Sequence, residues 1–456
     1  MSFVGKRIVF LSAILLLIAA CSQVEPTPTP TPVLPTPTPA AMAPTATPVP
    51  PTAAPASPTA VPATEPGPSG DAWIKTYAAD QDTVAGYMLP ADDGGYFVVG
   101  TTNLEFEPEQ QGDVYLLRTE ASGEILWEKV YRGEGYDGGQ SIAPTGDGNL
   151  LIAGYTTSFG AEGIDAYLLK VDRDGNELWS KTYGGPLDEM IGAIGQTADG
   201  GYILGGIIVD PNDFVADPGA AGYGGLAGRS NLYLLKTDGE GNELWSHAYD
   251  SPLNTLVSAG LQTADGGFLA LATITYYPDP DDDILLMKLD QDGNEIWSRT
   301  WQEDICNPYG LIQTSDGNYL ITASYKPLEG AEDSKEDFLF IKVDPEGNEL
   351  WRSVFGDPDT IDYGVALAET ADGGTVAVGE RTRDRTTWDT DIVLVKIDEQ
   401  GQLLWERSIP AVHTMFSTVL QHPDGGYLIA GSTFADPVFN VLLIKTDSEG
   451  NVDEVP

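Results

Sequence analysis

One stretch recurs along this 456-residue chain. Its best-preserved copies read Tyr167-Leu-Leu-Lys-Val-Asp172-Arg-Asp-Gly-Asn-Glu-Leu-Trp179 and Leu232-Tyr-Leu-Leu-Lys-Thr-Asp238-Gly-Glu-Gly-Asn-Glu-Leu-Trp245. An apolar run, a turn rich in Asp, Gly and Asn, and a second apolar run indicate two β-strands joined by a tight turn. The repeat therefore predicts an all-β fold.

Two independent marks measure the period of the repeat. Each occurs seven times, with steps of 51 to 56 residues apart from one step of 66. A period of this length, filled with short strands and Gly-rich turns, favours the blades of a β-propeller over helical repeats. The repeated tryptophans are Trp73, Trp127, Trp179, Trp245, Trp297, Trp351 and Trp405. The aspartates of the repeated Asp-Gly turn are Asp93, Asp147, Asp199, Asp265, Asp316, Asp372 and Asp424.

Each repeat predicts a blade of four strands. In the second copy we expect them at Gly138–Pro144, Leu150–Tyr155, Asp165–Val171 and Glu177–Tyr183. The Trp in the fourth strand is large and flat, so we expect it to pack between neighbouring blades.

The two ends of the repeat region complement each other. The region begins with a strand of the Trp type, Ala72-Trp-Ile-Lys-Thr-Tyr77, and ends with the preceding type, Val441-Leu-Leu-Ile-Lys-Thr-Asp447. We expect residues 72–77 to form the outermost strand of the seventh blade, which closes the ring and removes an open edge.

The N-terminus has the layout of a secretory signal. Lys6 and Arg7 precede the apolar run Ile8–Ala20, which is too short for a permanent membrane-spanning helix. The sequence Leu17-Ile-Ala-Ala-Cys21 resembles a bacterial lipobox, which implies cleavage after residue 20 and a lipid on Cys21. This resemblance implies a protein anchored to the cell membrane on its extracytoplasmic side. An ordinary signal peptide followed by an incidental cysteine is the alternative.

Residues 21–69 predict a lipidated cysteine followed by a disordered stalk, and residues 70–456 the propeller. From Val24 to Ser69 the chain is dominated by Pro, Thr and Ala, a composition that favours extended polyproline II and cannot bury a core. At about 3.1 Å per residue the stalk reaches on the order of 140 Å.

The charge of the chain restricts its partners. Without residues 1–20 it carries 21 Lys and Arg against 69 Asp and Glu, a formal charge of −48. A field of this sign repels nucleic acid and anionic lipid surfaces, so we expect neither to bind the ring. The acidity also fits Asp-rich turns on an extracellular protein. We expect a monomer.

The repeat resembles a known family. A strand followed by Asp-x-x-Gly-Asn-x-x-Trp is similar to the tryptophan-docking repeat of PQQ-type quinoprotein β-propellers, and the likeness extends over residues 71–456. Quinoprotein dehydrogenases are commonly larger, eight-bladed enzymes with a metal site, and many carry a vicinal Cys pair. This chain has seven copies, and Cys306 is the one cysteine in the ring. It is closer to non-catalytic propeller lipoproteins, among them one that assists outer-membrane protein assembly.

The predicted loops differ between the two ends of the ring. The repeated turns emerge at one end, whereas the connections of unequal length emerge at the other, where binding specificity is usually carried. The unequal loops are Asn103–Gln111, Asp210–Ser230, Pro278–Asp283, Lys326–Glu336 and Thr382–Thr390.

The last of these loops carries a candidate ligand site. Arg381, Arg383 and Arg385 precede Trp388 in an otherwise acidic domain, and this basic and aromatic group is suited to a carboxylate, a phosphate or a sugar ring. The alternative is that the arginines neutralise nearby carboxylates. These carboxylates are Asp384, Asp389 and Asp391.

Two turns are candidates for calcium, because Ca²⁺ prefers oxygen ligands. Other copies, such as Asp344-Pro-Glu-Gly-Asn348 and Asp398-Glu-Gln-Gly-Gln402, keep the turn but lose several oxygens, so the purpose common to all copies is the turn itself. We expect no other cofactor. The candidate ligands are Asp172, Asp174 and Asn176 in one turn, and Asp290, Asp292 and Asn294 in the other.

The sequence offers no catalytic constellation. His247, His413 and His422 have no metal-ligand spacing, and no Gly-rich phosphate loop opens a helix. We expect a binding or scaffolding module of the cell envelope that acts on an envelope protein or glycan through its variable loops, with no catalytic residue. A propeller enzyme, quinoprotein-like or glycan-active, and a purely structural envelope protein are the alternatives.

Overall fold

The computed structural model describes residues 72–77, 82–103, 112–161, 163–214, 228–249, 254–275, 282–301, 305–325, 336–357, 360–384, 389–410, 414–435 and 438–452. The predicted signal segment and stalk lie outside these residues. Over the described ranges, no helix is long and apolar enough to cross a membrane.

Seven four-stranded antiparallel sheets form the blades of a propeller, as predicted. Blade 1 consists of β2 (Thr83–Pro90), β3 (Tyr96–Thr102), β4 (Val114–Thr119) and β5 (Ile125–Tyr131). Blade 2 consists of β6 (Asp137–Pro144), β7 (Leu150–Thr156), β8 (Asp165–Val171) and β9 (Glu177–Tyr183). Blade 3 consists of β10 (Asp188–Gln196), β11 (Tyr202–Phe214), β12 (Gly228–Thr237) and β13 (Glu243–Tyr249).

The remaining blades follow the same order. Blade 4 consists of β14 (Asn254–Gln262), β15 (Phe268–Thr275), β16 (Asp282–Leu289) and β17 (Glu295–Trp301). Blade 5 consists of β18 (Ile305–Gln313), β19 (Tyr319–Tyr325), β20 (Asp337–Val343) and β21 (Glu349–Phe355). Blade 6 consists of β22 (Ile361–Glu369), β23 (Thr375–Asp384), β24 (Asp389–Ile397) and β25 (Leu403–Pro410). Blade 7 consists of β26 (Thr414–Gln421), β27 (Tyr427–Ala435), β28 (Val438–Lys445) and β1 (Trp73–Tyr77).

The N-terminal strand closes the ring, as the sequence predicted. Strand β1 pairs antiparallel with β28, in a register that places Trp73 opposite Lys445 and Tyr77 opposite Val441. The first strands of successive blades contact one another around the ring, and β2 of blade 1 contacts β26 of blade 7. Blade 7 is therefore built from both ends of the repeat region, so that the ring cannot open without breaking a sheet.

The predicted strands of blade 2 are confirmed to within one residue. The predicted loop Asp210–Ser230 is wrong at both ends, because β11 continues to Phe214 and β12 begins at Gly228. Antiparallel pairing continues past Val209, with one irregularity before Phe214 pairs with Gly228. Some of the extra residues in this connection therefore lengthen the two strands.

The core lies between the blades. The second and third strands are buried along their whole length in blades 1 and 2, whereas the fourth strands alternate between half-buried and exposed positions. Side chains from neighbouring blades share each cluster; Leu151 and Leu168 of blade 2, for example, pack with Leu204 and Leu235 of blade 3. Each blade thus buries its two faces against its neighbours.

The repeated tryptophan docks on the next blade. The glycine of the following third-to-fourth-strand turn lies so close to the indole that a Cβ on Gly241 would be 2.6 Å from Trp179. Gly241 also has a φ of 75°, a conformation that disfavours any residue with a side chain. The seven contacts are Trp73 on Gly123, Trp127 on Gly175, Trp179 on Gly241, Trp245 on Gly293, Trp297 on Gly347, Trp351 on Gly401 and Trp405 on Gly450.

A second residue of the fourth strand reinforces this contact. The Tyr183 hydroxyl of blade 2 donates a hydrogen bond to the Gly241 carbonyl of blade 3. In the same way, the Tyr249 hydroxyl of blade 3 donates to the Gly293 carbonyl of blade 4 over 2.6 Å. Tyr77 and Tyr131 make the same bond to the next blade. A buried tyrosine hydroxyl needs such a partner. The turn that contains the glycine therefore contacts both the Trp and the Tyr of the preceding blade.

We predict that Trp179→Ala lowers the free energy of unfolding by about 2 to 4 kcal/mol, because it removes the indole from a contact between blades. The neighbouring residue Leu178 is 49% exposed, so Leu178→Ala is the matched control and should change stability by less than about 0.5 kcal/mol. Chemical denaturation monitored by circular dichroism measures both variants. Equal losses in the two variants would contradict the docking role of the tryptophan.

Candidate functional site

The two ends of the ring differ in how their polar groups are used. We name the end with the two tight turns of each blade the turn face, and the opposite end the loop face. The antiparallel order of the strands puts the first-to-second and third-to-fourth connections on the turn face. The second-to-third connections and the links between blades lie on the loop face.

On the turn face, each blade buries a cation of its third strand against the Asp of its Asp-Gly turn. Lys236 of blade 3 has a side chain only 6% exposed, and its Nζ lies 3.0 Å from an Asp199 carboxylate oxygen. A buried charge requires such a partner, so this pair ties the turn to the third strand. The seven pairs are Arg118–Asp93, Lys170–Asp147, Lys236–Asp199, Lys288–Asp265, Lys342–Asp316, Lys396–Asp372 and Lys445–Asp424.

These pairs lower the pKa of the turn aspartates. Partial burial by itself would raise the pKa of Asp265, but hydrogen bonds from Lys288 and Thr263 outweigh it. Together with the Gly267 amide they hold the pKa of Asp265 at about 2. The same balance holds the pKa at about 2 in three other turns, at Asp199, Asp372 and Asp424.

The turns predicted to bind calcium use their carboxylates to stabilise the turn. The Asp172 carboxylate accepts hydrogen bonds from the amides of Asp174 and Asn176, and also from the Asn176 side chain at 2.9 Å. Its pKa is lowered by these hydrogen bonds, first of all the one from the Asn176 side chain.

The second predicted calcium turn repeats this arrangement, with Asp290 accepting from Asp292 and Asn294. In the described part of the chain, no group of three His, Cys, Asp or Glu residues is placed to hold a metal ion. Calcium in these turns stays a prediction.

A cavity of about 870 Å³ lies at the centre of the ring. It is lined mainly by the first strands of the blades, and each of these strands carries a β-bulge. A bulge inserts an extra residue, which is left out of the ladder and re-aims the chain locally. In six blades the residue at the bulge lines the cavity: Gly86, Gln140, Gly192, Ser258, Val365 and Ser417.

Blade 5 departs from this pattern. Its first strand has two successive register shifts, around Asn307 and Tyr309, instead of one. Asn307 has a φ of 28° and is 5% exposed, and its side-chain oxygen finds no hydrogen-bond partner among the described residues. Both residues line the cavity. Backbone strain and an unsatisfied buried polar atom together are typical of functional positions.

Blade 6 supplies a buried acid to the same cavity. Glu380 is 6% exposed, and it accepts a hydrogen bond of 2.8 Å from the Tyr363 hydroxyl. Burial raises the pKa of Glu380 to about 8, although the bond from Tyr363 acts to lower it. The Tyr363 ring in turn stacks on Tyr309 of blade 5, with ring centres 6.2 Å apart. The carboxyl group of Glu380, the rings of Tyr309 and Tyr363, and the strained backbone of Asn307 therefore lie on adjoining parts of one cavity wall.

The sequence contains a signal for Glu380 that the repeated marks do not include. It occupies the sixth position of the second strand, where the other blades are uncharged, and a charged residue in a buried strand is unusual. The equivalent residues are Thr101, Tyr155, Ile207, Thr273, Ser324 and Ser432. For Asn307 and Tyr363 the strand pattern offers no comparable signal.

Arg381, a predicted ligand residue, is engaged within blade 6. Its Nε lies 2.7 Å from Asp362, which is fully buried, and its Nη1 lies 2.8 Å from Glu406. These partners differ from Asp384, Asp389 and Asp391, the carboxylates expected from the sequence. The side chains of Arg383, Arg385 and Trp388 lie outside the described residues, so their role in ligand binding stays a prediction.

Several other residues that the sequence analysis singled out also lie outside the described ranges. Most of the five predicted loops lie outside them, as do Cys21 and His413. Cys306 is in β18, but its side chain is not among those that the structure describes. His247 contacts the Asp292 carbonyl of the next blade, and His422 lies 2.8 Å from Asp424 on the turn face.

Residues 231–434 match the family model described as outer membrane protein assembly factor BamB. The match confirms the predicted resemblance to PQQ-type propeller repeats, and it covers the ring from the third strand of blade 3 into blade 7. No curated protein matches the chain.

Several solved structures are similar to this chain at low sequence identity. An ulvan lyase of polysaccharide lyase family PL25 is 10% identical, with a TM-score of 0.51 over 82% of this chain and 97% of that one. A mutant of the Synechocystis apocarotenoid oxygenase is 12% identical, with a TM-score of 0.44 over 84% and 95%. A protein of unknown function from Bacteroides caccae is 14% identical, with a TM-score of 0.40 over 65% and 89%. The lyase likeness shows a shared fold alone.

We predict that acid weakens the ring through the turn-face pairs. A carboxylate with a lowered pKa stabilises the fold above its unfolded pKa of about 4, and this contribution is lost as the pH falls through the folded value. For Asp265 that loss should fall between pH 4 and pH 2. Asp265→Asn should therefore flatten the decline of the melting temperature between pH 4 and pH 2.

Glu120→Gln is the control, because Glu120 is an exposed turn residue and the substitution changes the formal charge equally. Thermal unfolding from pH 6 to pH 2 measures both variants against the wild type. An Asp265→Asn curve parallel to those of the wild type and Glu120→Gln would argue against the proposed pH linkage.

Proposed function

We propose that this chain is a lipid-anchored protein of the cell envelope whose propeller binds or scaffolds a partner, an envelope protein or a glycan, through the loop face. One observation supports this orientation above all. On the turn face the same buried ion pair is used in all seven blades, so that face is committed to the fold. A rigid repeat scaffold carries its specificity where the repeats differ.

The matched family model supports the general character of this function. Its description names an assembly factor of the outer membrane, which fits a binding role and an envelope location. A chain with a formal charge of −46 also fits a partner with basic or neutral contact groups. The proposal assigns no catalytic residue to the ring.

The segment between β23 and β24 is our candidate for the contact with the partner. It includes Arg383, Arg385 and Trp388, and Arg and Trp are enriched among residues that dominate binding energy. At the base of this hairpin, Arg381 joins Asp362 to Glu406 across blade 6. These two ion pairs would fix the direction of the hairpin, and the segment with Arg383, Arg385 and Trp388 would remain available for binding.

We predict that a photo-crosslinking residue at Trp388 captures one defined envelope component in cells, whereas the same residue at Arg173 does not. Arg173 is the matched control because it is an arginine of the turn face, where it pairs with Asp92 at 3.0 Å. Immunoblotting and mass spectrometry identify the products. Crosslinks to the same component from Arg173 alone would place the binding surface at the wrong end of the ring.

We predict that Cys21→Ser releases the protein from the membrane fraction. The thiol of Cys21 is the expected site of acylation, and the hydroxyl of serine cannot form the thioether. Metabolic labelling with a clickable fatty acid and fractionation measure the effect. The control is Cys306→Ser, which should remain labelled and membrane-bound; labelling that survives in Cys21→Ser would refute the anchor.

A further inference from the structure

The wall of the central cavity holds a buried acid, Glu380, to which the described residues supply no cationic partner. We propose that the cavity surface formed by Asn307, Tyr309, Tyr363 and Glu380 is a binding site for a small organic ammonium ion. This site is separate from the loop-face contact proposed above.

Glu380 and Arg381 are consecutive residues of β23, but they differ in whether the described residues pair their charges. Arg381 lies on the face of β23 that also carries Ala377, which packs against blade 5, and there its charge meets Asp362 and Glu406. Glu380 lies on the other face with Val376 and Val378, which pack against blade 7. The hydrogen bond from Tyr363 is its one described polar contact.

No Lys, Arg or His is among the described residues that line the cavity. A buried carboxylate without a cation is costly. A ligand that brings its own positive charge would remove that cost.

The cavity that contains Glu380 also offers hydrogen-bond acceptors. Within the described ranges, the side-chain oxygens of Asn307, Thr390 and Thr414 have no hydrogen-bond partner, and all three residues line the cavity and are at most 5% exposed. An amide oxygen accepts hydrogen bonds, and a threonine hydroxyl can accept as well as donate. A protonated primary amine is a donor without acceptor capacity, so it matches this set, whereas a quaternary ammonium has no N–H and would be held by its charge and by the aromatic rings alone.

The rings of Tyr309 and Tyr363 give the cavity wall an aromatic surface. Tyr309 and Tyr363 stack with an interplanar angle of 29°, and the faces of such rings attract cations within about 6 Å. The formal charge of −46 raises the local concentration of cations and opposes anions. A cavity of about 870 Å³ accommodates a small organic ion with its alkyl groups against apolar residues such as Met415 and Phe439.

The test is isothermal titration of the full-length chain in detergent with butylammonium, tetramethylammonium, butan-1-ol and glucose at pH 8.5. We expect both ammonium ions to bind, and Glu380→Gln to weaken butylammonium binding at least tenfold. Ser258→Ala is the control, since Ser258 lines the cavity in blade 4 without belonging to the proposed site. It should bind like the wild type.

The pH dependence provides a second readout. Tetramethylammonium has a permanent charge, so any change in its affinity reports on the protein. Because the pKa of Glu380 is raised to about 8 by burial, the carboxyl must lose its proton before it can pair with the ligand, and affinity should rise from pH 6 through pH 8 and level off above about pH 9. The described titratable groups around it are Tyr363, whose pKa is raised well above 10 by burial and by Glu380, and beyond it Tyr309 and Glu336. In Glu380→Gln this rise should disappear.

The outcomes separate the possible ligands. Butan-1-ol or glucose binding as tightly as butylammonium would overturn the proposal in favour of a neutral ligand. Unchanged ammonium binding in Glu380→Gln, or none in the wild type, would also overturn it. Circular dichroism verifies that Glu380→Gln folds, and Asn307→Ala, which keeps the acid, should weaken butylammonium binding to a smaller extent. Neither result depends on the loop-face partner, whose crosslink at Trp388 is measured separately.

Discussion

The docking of each tryptophan on a glycine of the next blade is the contact on which the ring depends. It occurs seven times, and the seventh tryptophan, Trp73, comes from the other end of the repeat region. Each contact needs a flat side chain on one blade and a residue without a side chain on its neighbour. This mutual requirement explains why the Trp and the turn Gly recur together in every copy of the repeat.

The same requirement separates the two faces of the molecule. The turn that holds the docking glycine is stabilised by an Asp that caps its backbone, as Asp172 does in blade 2. The neighbouring Asp-Gly turn is held by a buried Lys or Arg. Seven nearly identical turns leave little freedom for variation at this end. The first strands meet at the axis and are not part of the docking contact, and we propose that they and the loop face carry the specificity of the molecule.

The sequence predicts what is repeated and misses what occurs once. Periodic marks such as Trp179 and Asp199 predicted the blade number, the strands of blade 2 and the closure by residues 72–77, because each mark has a local cause in turn geometry or packing. The Arg381 partners were missed, since Asp362 and Glu406 reach it across strands that the sequence alone does not align. Asn307 was missed for a similar reason: its strain arises from a second bulge that only strand register reveals.

Hydrogen–deuterium exchange of the protein alone and in complex with its crosslinked envelope partner tests most directly whether the loop face is the functional end. Our account predicts protection in peptides that cover residues 382–390 and other loop-face connections, with unchanged exchange in the turns that contain Asp172 and Asp290. Protection confined to those turns would contradict it, because the face committed to the fold would then be the face that binds.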